Sequence, residues 1–225
     1  MNTHYRNVIA ILISLAVCVG FSPAATSRAR ISNDNAVGPA PTPPEVRHYS
    51  IDAGQSDFMV HASVGGLLSS FGHNHNIAIK DISGETQFTD GTVTPASLRM
   101  KIRADSLKVT DKVSDSDRET IEKSMRDQVL ETGKFPEITF NSTKIEVVKN
   151  SDTQFQANIW GDLTLHGVTR NVFVKAQLTF DQKTVRARGE FNLKMTDYGI
   201  KPPSVAGGTI TVKDTLKFNF NILSH

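Results

Sequence analysis

The stretch GHNHN at residues 72–76 carries two histidines, His73 and His75, just ahead of the apolar IAIK. In an extended chain, positions i and i+2 put both imidazoles on one face. Three chemistries suit such a pair: metal ligation, acid–base work, or polar lining at the rim of something else. Zinc needs three or four ligands, so His61 or His166 would have to join the pair. An HxH spacing arises readily by chance, and histidines at a strand entrance ordinarily face water or bond to backbone. Rim polarity is therefore the reading the pair favours.

The remaining candidates are weaker. DSDRE at 115–119 has the acidic alternation of a calcium loop, but its sixth position is Thr120 and its twelfth is Arg126, where Gly and a bidentate Glu are needed. Nucleophile-elbow, phosphate-loop and HExxH patterns are absent. Asp52, Asp57 and Asp197 are scattered carboxylates that read as turn or edge residues. No residue set makes a positive case for catalysis, and no cofactor is expected.

The elements that must position these groups are written in period two. LRMKIRAD sets Leu98, Met100, Ile102 and Ala104 against Arg99, Lys101, Arg103 and Asp105. NVFVKAQLTF groups Val172, Val174, Ala176, Leu178 and Phe180, and VRARGEFNLKM groups Ala187, Gly189, Phe191, Leu193 and Met195. TLKFNFNI places Leu216, Phe218, Phe220 and Ile222 together. Such alternation predicts antiparallel strands, buried on one face and wet on the other. Further strands are expected near 49–52, 56–64, 75–80, 82–89, 136–148 and 154–165. One segment, SDSDRETIEKSMRDQVLE, instead spaces Ile121, Met125 and Val129 as a helix does, with a capping box expected from Ser116 and Glu119 and an end at Gly133. An all-β fold follows: about eight antiparallel strands closed into a barrel, which removes sheet edges, with one interrupting helix. A two-sheet sandwich is the competing architecture. A barrel of this size either fills with side chains or encloses one small ligand.

The first residues stand apart. MNTHYR carries Arg6, the apolar VIAILISLAVCVGF follows, and then the small residues of SPAATSRA, the order of a secretory signal peptide over 1–25. Cleavage is expected after Ser22 and Ala24 or after Pro23 and Ala25. Cys18, the one cysteine, lies inside the apolar run after Val17, where lipidation is not expected, so the mature chain has no thiol ligand and no disulfide. Residues 26–47, rich in Ala, Pro and polar side chains, read as a flexible linker, and 48–225 as one domain. The net charge of +2 falls to about +1 without the leader, and Lys and Arg are spread evenly, which excludes a nucleic-acid patch.

Several stretches together resemble the YceI-like family of periplasmic polyisoprenoid-binding barrels. YSIDAGQSDFMVHASV fits its opening at Tyr49, Asp52 and Ser56. MRDQVLETGKFPEITFNST fits at Arg126, Asp127, Phe135, Pro136 and Phe140. WGDLTLHGVTRNVFV, the most specific piece, fits at Gly161, Leu163, Thr164, Gly167, Val168 and Arg170. MTDYGIKPPSVAGGTITVKDTLKFNFNI resembles the closing D-(F/Y)-G-I and final strand. The likeness runs from about 48 to 223, and GHNHN is similar to a subset of the family with a G-H-x-H segment in place of the commoner turn.

The resemblance implies a lipocalin-like barrel around an elongated apolar tunnel, with the helix near one end. On that basis Phe58, Val60, Met100, Ile102, Phe140, Phe191, Phe218 and Phe220 are expected to face a hydrophobic ligand, with Met125 covering an end and His73 and His75 meeting a polar head. The expected function is a periplasmic or secreted carrier of a polyisoprenoid, quinone or similar amphiphile, with transient membrane contact, and not an enzyme. The alternatives are a metal- or histidine-dependent enzyme built on His73 and His75, and a filled barrel acting through a protein partner.

Overall fold

Alternation of apolar and polar residues becomes strand along almost all of the domain. The computed structural model describes residues 45–66, 73–89, 96–181 and 183–225. In chain order the elements are β1 (Val46–Ala62), β2 (Val64–Gly65), β3 (His75–Ile79), β4 (Ile82–Thr89), β5 (Ala96–Arg103), β6 (Leu107–Val109), α1 (Asp115–Ser124), β7 (Glu137–Lys149), β8 (Gln154–Leu165), β9 (Val168–Asp181), β10 (Thr184–Lys194), β11 (Ser204–Val205), β12 (Ile210–Val212) and β13 (Thr215–Ser224). The expected leader and nearly all of the expected linker lie outside the described residues; β1 takes up the last two linker positions, Val46 and Arg47.

The strands form one antiparallel ring, β13-β10-β9-β8-β7-β5-β4-β1, closed because β13 also pairs β1. Phe58 faces Phe220 and Val60 faces Phe218 across that seam. The architecture is the barrel, not the sandwich. The two strands expected at 49–52 and 56–64 are a single long β1, whose register shifts between Asp52 and Asp57. Asp52 holds this bulge: its carboxylate accepts from the Gln55 backbone N–H at 3.1 Å and from Gln55 Nε2 at 2.9 Å. Ser56 Oγ accepts from the Leu223 N–H at 3.0 Å, tying the bulge to β13.

At one end of the ring, β3 pairs the second half of β1, and β6 pairs β3. Among the described residues the outer edge of β6 has no strand beside it in the sheet, and α1 covers it. Val109 N–H donates to Glu122 Oε1 at 3.1 Å, Arg118 donates to the Val109 carbonyl, and Lys108 Nζ bonds Glu122 Oε2 at 2.9 Å. A helix side chain thus satisfies a strand edge that would otherwise invite another strand. Burial opposes charge on Glu122, yet Lys108, the Val109 N–H and Arg126 outweigh it and keep the carboxyl below its usual range.

The helix begins differently from expectation. Ser114, extended at φ −62 and ψ 154, is the N-cap, its Oγ accepting from the Asp117 N–H at 3.1 Å. Ser116 is already inside the first turn, so the Ser116–Glu119 capping box does not form. The helix also ends before Gly133: a single π turn covers Met125–Val129, and the chain reverses at Glu131, at φ 45.

Three inward or edge glycines permit close strand approach. A Cβ on Gly189 would lie 2.4 Å from the Lys175 carbonyl and 2.5 Å from Phe220 Cζ. A Cβ on Gly161 would meet Phe140 Cζ at 2.3 Å, and one on Gly84 would meet the Arg99 carbonyl at 2.3 Å. Gly189→Ala is expected to lower stability by about 1–3 kcal/mol, the usual penalty for overpacking. Gly133→Ala, whose Cβ meets nothing within 4 Å, should leave the urea midpoint nearly unchanged; equal midpoints for both variants would refute the packing argument.

Candidate functional site

The inward faces do not close on each other. They surround a cavity of about 620 Å³ whose lining is almost wholly carbon. Phe58, Phe191, Phe218 and Phe220 pack together on the adjacent strands β1, β10 and β13, with the Phe191 and Phe218 rings stacked at 4.8 Å. Because all four rings lie on one wall, they line the lumen without crossing it. Phe140 packs into the recess at Gly161 on the other side, as Phe220 does at Gly189.

All eleven residues singled out from the sequence border this cavity. Phe58, Val60, Met100, Ile102, Phe140, Phe191, Phe218 and Phe220 line its walls, Met125 reaches in from the turn after α1, and His73 and His75 stand at its mouth. The lining residues that are exposed are His73, Thr120, Lys194 and Ser204, and all lie at the helix end. The small sheet β11-β12-β2 flanks the same opening through Val64, Ile210 and Val212.

Sequence reasoning missed the residue that fixes the rim. Asp111, in the turn after β6, accepts from His75 Nδ1 at 2.9 Å, from the Asn76 N–H at 3.0 Å and from Asn76 Nδ2 at 2.8 Å. Asn76 Oδ1 in turn accepts from His61 Nδ1 at 2.6 Å. Burial works against charge on Asp111, but the donors from His75 and Asn76 outweigh it and hold the carboxyl below the ordinary range. Alternation could not reveal this contact, because it joins residues 36 positions apart through a turn.

The histidines do not converge. His61 stays on the outward side of β1, bonded to Asn76, while His75 faces the mouth. His166 occupies the β8–β9 turn at φ 51, with Nε2 2.9 Å from Glu131 Oε2 and its ring 4.4 Å from that of Phe135. Among the described residues no group of three or more His, Cys, Asp or Glu is placed to hold a metal ion. The arrangement favours a binding cavity over the histidine-based alternative.

The chain matches the YceI-like domain over residues 49–223. It belongs to the YceI-like family. Its relatives include a UPF0312 protein of Pseudomonas syringae pv. tomato, 27% identical over 75% of this chain and 84% of the relative. Another, from Shewanella sp. (strain W3-18-1), is 30% identical over 63% and 72% respectively. A third, from Pseudomonas fluorescens, is 33% identical over 52% of this chain, which spans 57% of that relative's length. Among solved structures, BcnA of Burkholderia cenocepacia superposes with a TM-score of 0.60 at 16% identity, over 78% of this chain and 99% of that one. A polyisoprenoid binding domain from Saccharophagus degradans gives 0.57 at 15% identity, over 79% and 97%. At such identities these two show the shared barrel fold.

Three of the four stretches that carry the YceI-like resemblance, all but the opening one, meet at the helix end. Gly167, at φ 73, leaves room for Phe135, whose ring would lie 2.6 Å from a Cβ there. Arg170 Nε donates to the Asp197 carbonyl at 3.1 Å, joining the third motif to the closing one. Tyr198, 1% exposed, packs in the core with its hydroxyl unpartnered.

Two outcomes test this account. The folded Asp111 carboxyl titrates below the unfolded one, so its stabilisation is complete above about pH 4 and fades as pH falls through the folded value. Asp111→Ala should therefore cost about 1.5–3 kcal/mol at neutral pH, with the gap from wild type narrowing as pH falls below the unfolded carboxyl value of about 4 in urea titrations; a gap independent of pH would refute the ionised rim. Tyr198→Phe, which removes a buried hydroxyl without a partner, should keep or raise the melting temperature; a clear drop would reveal a hidden partner.

Proposed function

We propose that this YceI-like barrel carries a polyisoprenoid, quinone or similar amphiphile, with the chain in the lumen and the polar head at the rim. The observation that supports this most directly is an apolar cavity of about 620 Å³ opening beside two histidines and a lysine. Its size is in the range of small-molecule sites, about 300–1,000 Å³. Each buried CH₂ contributes about 0.8 kcal/mol, so a hydrocarbon chain needs no specific polar partner to be held. That the Saccharophagus degradans neighbour is a polyisoprenoid binding domain points the same way.

In this reading His73, His75 and Lys194 donate to oxygen atoms of the head, and Asp111 orients His75 for that purpose. The work is binding and transfer, not catalysis. We assign the domain to the periplasm, in transient contact with a membrane from which cargo is taken. The basic, apolar and small-residue order of the first 25 residues supports export, and among the described residues no helix is long and apolar enough to cross a membrane.

Native mass spectrometry of the protein purified from its own host, with organic extraction and metal analysis of one sample, tests the proposal. An added mass that passes into solvent, without stoichiometric metal, is the expected result. His75→Ala should weaken cargo binding only about fivefold, the worth of one hydrogen bond near 1 kcal/mol, and should leave the fold intact. A metal at full occupancy with no lipid, lost in His73→Ala, would overturn the carrier reading in favour of a histidine-based centre.

A further inference from the structure

The two ends of the lumen are built differently. At the end away from the helix, Phe88 of β4 meets Phe180 of β9 at 5.2 Å between centroids. In a ring ordered β13-β10-β9-β8-β7-β5-β4-β1, those strands are four places apart in either direction, directly opposite one another. Tyr49 of β1 extends the row at 6.2 Å from Phe88, and Phe155 of β8 at 5.2 Å from Phe180. Four edge-on rings therefore cross the barrel. Phe88 borders the cavity, whereas Tyr49, Phe155 and Phe180 do not, which places them at or beneath its floor.

We propose that this aromatic row is a blind floor that sets the longest chain the barrel holds in full, at four isoprene units or an equivalent acyl chain. The inference rests on the carrier reading above and adds to it a direction of entry, a ceiling on length and the residues that impose it. With one mouth and one floor, cargo enters tail first, and its head stays beside His73, His75 and Lys194.

Depth sets the capacity. Inward residues of β13 line the lumen from Leu216 to Ser224. With a rise of about 3.4 Å per residue and a tilt near 40°, that span is about 20 Å deep. Bonds of about 1.5 Å advance an extended chain by about 1.25 Å each, so the depth takes about 16 chain bonds, or four isoprene units of four bonds. A longer chain would leave its remaining units outside, in water or in a membrane.

Displacement of a bound fluorescent apolar probe by prenyl alcohols of two, three, four, five and eight isoprene units tests the ceiling on the full chain. Affinity should tighten at least about tenfold per unit, a 1.4 kcal/mol step, up to four units. Beyond four, the gain should fall below about threefold per unit. In Phe88→Ala the break should move to five units. Phe88→Leu, which retains most of the packed volume, should move it less; Phe173→Ala, an outer-face ring 44% exposed, should not move it. Affinity that keeps climbing steeply to eight units would overturn the floor and leave the carrier reading standing, as would a break that stays at four in a folded Phe88 variant. No displacement by any alcohol would instead sink the carrier reading on which the inference rests.

Discussion

The seam between the first and last long strands is the contact on which everything else depends. Strand β1 meets β13 over Ile51–His61, and only that pairing turns a curved sheet into a ring. The partners lie more than 150 residues apart in sequence, so the loop-closure entropy is met late and nearly the whole chain must be in place first. The backbone seals this junction further where Ser50 and His225 exchange hydrogen bonds at 2.8 and 3.0 Å. The bulge held by Asp52 and Ser56 lets β1 bend enough to pair β4 with its first half and β3 with its second, while β13 follows it along the other side. Without that bend the lumen would have no lining at the mouth, because His75 is set opposite Ala62 by the β1–β3 register.

Closure alone does not keep a barrel hollow. Eight strands can be filled by large side chains, and the ring strands carry nine phenylalanines. What prevents it is where the rings have room to lie. Gly161 and Gly189 remove wall side chains opposite Phe140 and Phe220, so these rings lie back into the recesses instead of forward into the lumen. At the floor no such recess separates Phe88 from Phe180, and the rings meet across the axis. The same residue type thus lines the wall in one layer and blocks the lumen in another, and the difference is a glycine on the neighbouring strand.

Much of this was legible in the sequence, and the remainder fails for identifiable reasons. Period two in β5, β9, β10 and β13 gave the strands and the inward sets, because each strand is wet on one face and apolar on the other. The boundaries of β8 fall where alternation placed them, at residues 154 and 165. The bulge in β1 was invisible: Ala-Gly-Gln reads as a break between two strands, and only pairing with β13 on both sides makes it one. Ser116 offered a better capping pattern than Ser114, but the cap is chosen by the first residue whose backbone is extended, which the turn after β6 decides. The histidine rim was legible as residues and not as a network, since Asp111 comes to it from another hairpin. A resemblance to one family supplied the tunnel; composition alone allowed a dry core equally well.

An apolar lumen of this size also bears on how the fold persists without cargo. A dry void costs about 24 cal/mol per Å³, so about 620 Å³ kept empty would cost about 15 kcal/mol, as much as the whole stability of an ordinary domain. The ring cannot stand around a vacuum. The backbone ladder that closes the ring holds the wall apart without help from a filled core. Cargo that fills the lumen stabilises the native state by mass action. Tight binding and easy release pull against each other in such a vessel. The rim, with a few hydrogen-bonding groups at one end of an otherwise unspecific tube, is where that balance is set.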